Sequence, residues 1–287
     1  MANTKEVRKQ IASIKSTQKI TSAMEMVAAS KMKRTQDLMM VGRPYSNKIQ
    51  EVISHIATSN SEHSHPFYED RAVKKACFIV VSTDKGLCGG LNINLFKSIV
   101  AKAAEFKTNG IDSSFALIGL KASAFFQSVG GEVVATADKL GDQPNPEDLI
   151  GLTKVVLDLH KNQDVDEVYL CSNRFVNTMT QQPTITQLIP LPAIEDENLV
   201  NTHWDYIYEP EAAELLDGLL TRDIEALIYQ AVVENNACEQ AAKMIAMKNA
   251  SENAGDLIKE LELLYNNVRQ AAITQELSEI VGGAAAV

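Results

Sequence analysis

Aromatic side chains are scarce in this chain, at 6% of 287 residues with a single tryptophan. A seam between long helices needs few of them, because Ala, Leu, Met, Ile and Val fill it at the right width. Proline and glycine are nearly missing from both ends: residues 3–58 hold only Gly42 and Pro44, and residues 211–281 only Gly218 and Gly255. Those residues are the strongest local breakers, so their absence excludes a loop-rich arrangement at either end. No run of about 18 apolar residues occurs, which leaves no candidate for a membrane-spanning helix. The N-terminus has no apolar stretch of the kind a secretory signal needs. The cysteines Cys77, Cys88, Cys171 and Cys238 show no metal or redox spacing, and buried free thiols are expected. A basic excess is missing too. The formal net charge is −10, which speaks against a nucleic-acid binder, since phosphate contacts need a basic surface.

What is present is strongly periodic. Apolar residues recur at three- and four-residue steps at Val7, Ile11 and Ile14, then Ile20, Met24 and Val27, and later Ile49, Val52, Ile53 and Ile56. This spacing predicts a helix over 1–58, with Gln18, Thr21 and Lys31 interrupting a strict heptad and Gly42 and Pro44 marking a bend. Residues 211–287 repeat the signal at Leu215, Leu216, Leu219, Leu220, Ile224, Leu227, Ile228, Leu257, Leu261, Leu264 and Val268. A helix of that length spans roughly 100 Å, far beyond what a compact domain covers. The two ends carry opposite charge. Residues 1–50 hold ten Lys/Arg and three Asp/Glu, and residues 204–287 hold five Lys/Arg and fifteen Asp/Glu. Two antiparallel partner helices of one chain account for this, with the last turns of the longer one projecting alone. The uncharged, unbulky end 280–287 (IVGGAAAV) then calls for a close-fitting sleeve.

The middle, 76–192, alternates. Strands are expected at 76–82 (ACFIVVS), 115–119, 132–136 and 167–172, helices at 91–106, 120–128 and 146–160, and β-rich sequence over 175–190. Strands alternating with helices predict a mostly parallel sheet covered by helices.

Few constellations carry chemistry. The turn TDKGLCGGLN, 83–92, follows a strand and opens a helix, where glycines let backbone N–H groups approach a phosphate. Its spacing matches neither GxGxxG nor GxxxxGK[ST], so tight strand-to-helix packing is the first reading and a nucleotide site between Gly86 and Gly90 the alternative. His63 and His65 have no evident third metal ligand, and no nucleophile–base motif occurs, so no catalytic, cofactor or metal residues are expected. The connector WDYIYEP, 204–210, sets three aromatics beside two carboxylates and reads as an anchor patch or as the packed root of the following helix.

Four segments carry a resemblance that runs through the chain in order: QKITSAMEMVAASKM (18–32), STDKGLCGGLN (82–92), LIKELELLYNNVRQA (257–271) and ITQELSEIVGGAAA (273–286). They resemble the gamma subunit family of bacterial F-type ATP synthases. The resemblance implies a long antiparallel coiled coil of 1–58 with 211–287, plus a small Rossmann-like α/β domain. It implies a non-catalytic central rotor shaft that couples proton-driven rotation of a c-subunit ring to ATP synthesis or hydrolysis on beta subunits. It further implies as partners the alpha and beta subunits, an epsilon subunit and the c ring, with no nucleic acid and no cofactor. The place implied is the cytoplasmic face of the bacterial inner membrane, reached only through partners. Position by position, Met24, Arg269, Gln270 and Thr274 match contacts to the beta catch and lever. Tyr206, Tyr208 and Glu209 match the foot toward epsilon and the ring, and Ile280, Val281 and Val287 the apolar tip in its sleeve.

Overall fold

The computed structural model describes residues 4–59, 66–69, 71–191 and 212–284. The chain opens with helix α1 (Thr4–Ser59), which runs through Gly42 and Pro44 without interruption, followed by a short 3-10 turn (Pro66–Tyr68). Then come β1 (Lys75–Val81), α2 (Leu91–Thr108), β2 (Asp112–Ile118), α3 (Leu120–Val129), β3 (Glu132–Ala137), α4 (Glu147–Lys161), β4 (Glu167–Phe175) and β5 (Gln181–Ile189). Helix α5 (Ala212–Ala284) closes the chain. Two compact units result, one formed by Met1–Ser30 with Lys243–Val287 and the other by Lys31–Ala242.

In the second unit the sheet has the order β3-β2-β1-β4-β5. β1, β2, β3 and β4 are mutually parallel, and β5 joins β4 antiparallel. β1 is apolar from Ala76 to Val81 because both faces are covered. Its Ala76, Phe78 and Val80 pack with Leu95, Phe96 and Ile99 of α2 and Phe126 of α3. Its Cys77, Ile79 and Val81 pack with Leu149, Leu152 and Val156 of α4, and with Leu220, Ile224 and Ile228 of α5. The long C-terminal helix therefore helps to build the sheet's own core. Burying apolar side chains stabilises by about 1.5–3 kcal/mol each, which anchors this stretch of α5 to the sheet.

In the first unit the ends of α1 and α5 pack side by side, joined by the ion pair Lys15–Glu262 at 2.8 Å. On α1, buried Val7 and Ala28 and half-buried Ile11, Ile14, Gln18, Thr21 and Glu25 follow a regular four-three alternation, with Ser22, Met24 and Ala29 half-buried at its flanks. α5 answers with Met247, Ser251, Ala254, Ile258, Leu261, Tyr265 and Val268, again in steps of four and three. The alternation runs through polar Gln18 and Thr21, which interrupt the apolar seam as expected. One correction concerns Ile20 and Val27, expected in the seam. They are exposed on the outside of α1 instead, because they fall between the four-three positions, which Gln18, Thr21, Glu25 and Ala28 occupy over this stretch.

Candidate functional site

The described part of the tip is a bare helix. Every residue from Arg269 to Ala284 is exposed, roughly four turns of α5 with nothing packed on them. Ile273, Leu277, Ile280 and Val281 follow at i, i+4, i+7 and i+8, so they share one face. Ile280 and Val281 are each 67% exposed. The same face continues downward through Arg269, Gln270 and Thr274 by the same spacing. The Thr274 hydroxyl donates back to the Gln270 carbonyl at 2.9 Å, which leaves its oxygen able to accept from outside the chain. Gln275 and Glu279 pair with each other at 3.0 Å on the opposite side. The result is a helix that is apolar at the top of one face, polar at its base and hydrophilic behind.

On α1, Met24 is half-buried at the flank of the seam, and Ile20 and Val27 lie four residues before it and three after it on the outer side. The expected tip and catch residues therefore sit on an exposed helical face and Met24 at a half-buried one, apart from Val287, which lies outside the described residues. Tyr206, Tyr208 and Glu209 of the expected foot also lie outside them, as do His63 and His65. Ile273 and Leu277 are additions to the expected set. Their four-residue steps to Arg269 and Val281 were the available signal.

The glycine turn after β1 is closed on itself. Asn92 Nδ2 donates to Thr83 Oγ1 at 2.8 Å, Thr83 N donates to Asn92 Oδ1 at 3.3 Å, and Thr83 Oγ1 donates to the Lys85 carbonyl at 2.6 Å. Asp84 Oδ1 accepts from the backbone N–H of Leu120 and of Lys139, tying the ends of three parallel strands together. Gly119 makes this approach possible: its φ is +92°, and a Cβ there would lie 2.5 Å from the Ser82 carbonyl oxygen. Cys88 and Leu91 then pack on Cys238 of α5, with Phe175 and Ala242 beside them. In a doubly wound sheet a ligand enters at the carboxyl ends of the strands where the order reverses, here between β1 and β4. α5 occupies that crevice. This favours tight packing over a nucleotide site between Gly86 and Gly90.

The ionisable groups fit a structural role. Burial pushes the Cys77 thiol up to about 11 and raises Cys171 and Cys238 further, so none is poised as a thiolate nucleophile near neutral pH. His160 is fully buried against Phe67, and burial together with Arg71 lowers its pKa. Among the described residues no group of three or more His, Cys, Asp or Glu side chains could hold a metal ion, and no helix is long and apolar enough to cross a membrane.

The family model described as ATP synthase matches residues 3–287. Solved structures agree in fold. A chain of the Tetrahymena thermophila mitochondrial ATP synthase central stalk and c ring is 25% identical, with 81% of this chain and 99% of that chain covered and a TM-score of 0.61. A chain of the Euglena gracilis mitochondrial ATP synthase rotor in rotational state 1 is 17% identical, with 94% and 98% covered and a TM-score of 0.62. A chain of the Euglena gracilis OSCP/F1/c-ring assembly in rotational state 3 is 18% identical, with 99% and 94% covered and a TM-score of 0.65.

Proposed function

The chain belongs to the gamma family of the F-type ATP synthases, and we propose that it works as the central rotor shaft, turning with a c-subunit ring and driving the catalytic beta subunits through their conformational cycle. It is a stalk subunit of the ATP synthase complex, peripheral to the membrane. In this reading 1–58 and 211–287 form the shaft and 76–192 the body at its base. ATP is made or hydrolysed on the beta subunits, and the complex sits on the cytoplasmic face of a bacterial inner membrane, with protons as the coupling ion.

The observation that carries the reading is the exposed end of α5. An apolar stripe of Ile273, Leu277, Ile280 and Val281 standing alone in water is a liability unless a partner surrounds it. A sleeve of alpha and beta subunits supplies that cover. Apolar contacts are non-directional, so they hold the tip without braking its rotation. Lower on the same face Arg269, Gln270 and Thr274 offer directional contacts to the beta catch, and Met24 faces the lever. Tyr206, Tyr208 and Glu209 form the foot toward epsilon and the ring, and Val287 completes the tip. The shaft works by differential contact: each orientation must favour one beta conformation by several kcal/mol for nucleotide affinities to shift.

Affinity purification of the tagged chain from native membranes tests this. Alpha, beta, epsilon and c subunits are expected together, in a complex whose ATPase activity needs beta. Isolation of the chain alone, with micromolar ATP affinity that Gly89→Val abolishes, would overturn the proposal.

A further inference from the structure

Between residues 230 and 242, α5 is buried nearly all round, yet this stretch is rich in polar side chains. Asn235 is 0% exposed and Gln240 is 4% exposed. A stretch selected only for stability would be apolar there, because burying an amide is costly unless its hydrogen bonds are recovered. Here they are recovered only in part. Asn235 Oδ1 accepts from Asn173 Nδ2 at 2.9 Å, while Asn235 Nδ2 has no partner.

The bonds that are made converge on one place. β4 runs past the end of β1: its pairing with β1 stops at Cys171, and residues 172–175 pair only with β5. This overhang reaches α5. Besides the Asn173–Asn235 bond, the Phe175 N–H donates to Glu234 Oε1 at 3.0 Å, and the Cys238 thiol donates to the Asn173 carbonyl at 3.3 Å. On the α1 side, Gln230 Nε2 donates to the Met39 carbonyl at 3.3 Å.

We propose that the β4 overhang and the 234–238 segment of α5 form the joint that passes torque between the sheet and the shaft, with Asn173, Glu234 and Asn235 as its positioning residues. The proposal rests on the rotor reading and adds where the load crosses. Interdigitated apolar packing holds α5 to the sheet but is non-directional, so it sets an orientation less sharply than hydrogen bonds do. Hydrogen bonds weaken steeply as their angle departs from linear, so they resist tangential displacement. A buried Asn pair also admits one register, as polar residues in helical seams do, at some cost in stability. The partly satisfied Asn235 bears that cost.

The test uses the whole membrane complex carrying the double variant Asn173→Leu with Asn235→Leu, which removes the hydrogen-bonded pair together. Torsional stiffness between the sheet domain and the catalytic hexamer is read from the angular fluctuations of a probe on the exposed Lys107 in single molecules. Angular fluctuations are expected to widen, a loss of stiffness, with ATP hydrolysis retained and ATP-driven proton pumping reduced. Glu234→Leu is expected to act in the same direction and Glu234→Gln, which keeps the acceptor, to restore stiffness. Glu234→Leu is therefore the reading to use if the double variant does not assemble. Unchanged stiffness in an assembled variant overturns the joint. A wild-type complex in which the probe never rotates overturns the rotor reading instead, so the two failures are distinguishable.

Discussion

Gln18 reaches across the helix pair and donates from Nε2 to the Ser251 carbonyl at 3.3 Å, one turn from Gly255. A Cβ on Gly255 would sit 3.1 Å from that same nitrogen. The amide is the far end of a flexible side chain, so a methyl group can be accommodated. Gly255→Ala is expected within about 1 kcal/mol of neutral, because the gain in helix propensity offsets a disturbed hydrogen bond. Gly255→Leu would wedge the helices apart and cost on the order of 1–3 kcal/mol. Thermal melts of both variants check the difference.

Asp223 is 3% exposed on α5, its Oδ1 has no partner, and burial raises its pKa from 3.8 to about 6. Its charge in turn helps to raise the Tyr68 hydroxyl. With the folded pKa above the unfolded one, the folded state holds the proton more tightly. The stabilising contribution is therefore complete below about pH 4, and is lost as pH rises through about 6. Asp223→Asn removes the buried charge. It is expected to stabilise the chain by on the order of 2 kcal/mol at pH 7.5 and to make little difference near pH 4. Denaturant melts at the two pH values measure this, and an equal effect at both would contradict the assignment.

The four cysteines form no disulfide and are buried. Ellman titration of the native chain is expected to show no fast-reacting thiol, and all four are expected to react once the chain is unfolded in guanidinium.

The order and type of the middle domain's strands and helices were legible, with bounds off by up to three residues for β1 to β4 and the helices, while β5 occupies only 181–189 of the β-rich stretch 175–190. The unbroken apolar run at 76–82 became β1 with both faces covered, and the alternation around it became the parallel sheet. The helix seam was less legible, for a physical reason. Hydrophobic periodicity located Val7, Ile11 and Ile14, but further on it picked out Ile20, Met24 and Val27 where the inner positions are Gln18, Thr21, Glu25 and Ala28. Close-packed helices accept small and polar side chains, so over 18–28 apolar residues do not mark the inner face. The joint at Asn173 and Asn235 was not legible at all. No spacing rule links an asparagine at a strand end to one in the middle of a helix some 60 residues later. The filling of the sheet's crevice by α5 was hidden for a similar reason, since it depends on tertiary placement.

Arg269→Ala and Leu277→Asp lie on the exposed face of α5 and should leave the isolated fold within about 0.5 kcal/mol of wild type. In membrane vesicles the first is expected to impair coupled ATP synthesis, and the second to weaken assembly with the catalytic hexamer. Normal synthesis and assembly in both variants would count against a sleeve around this face.

The central claim is rotation, and one measurement reaches it directly. A bead is attached through Lys107→Cys, on an exposed turn of α2, in complexes held to a surface by their beta subunits. ATP is then added. The account predicts steady rotation of the bead in one direction that stops when ATP is withdrawn. A bead that stays fixed while the same complexes hydrolyse ATP would contradict it.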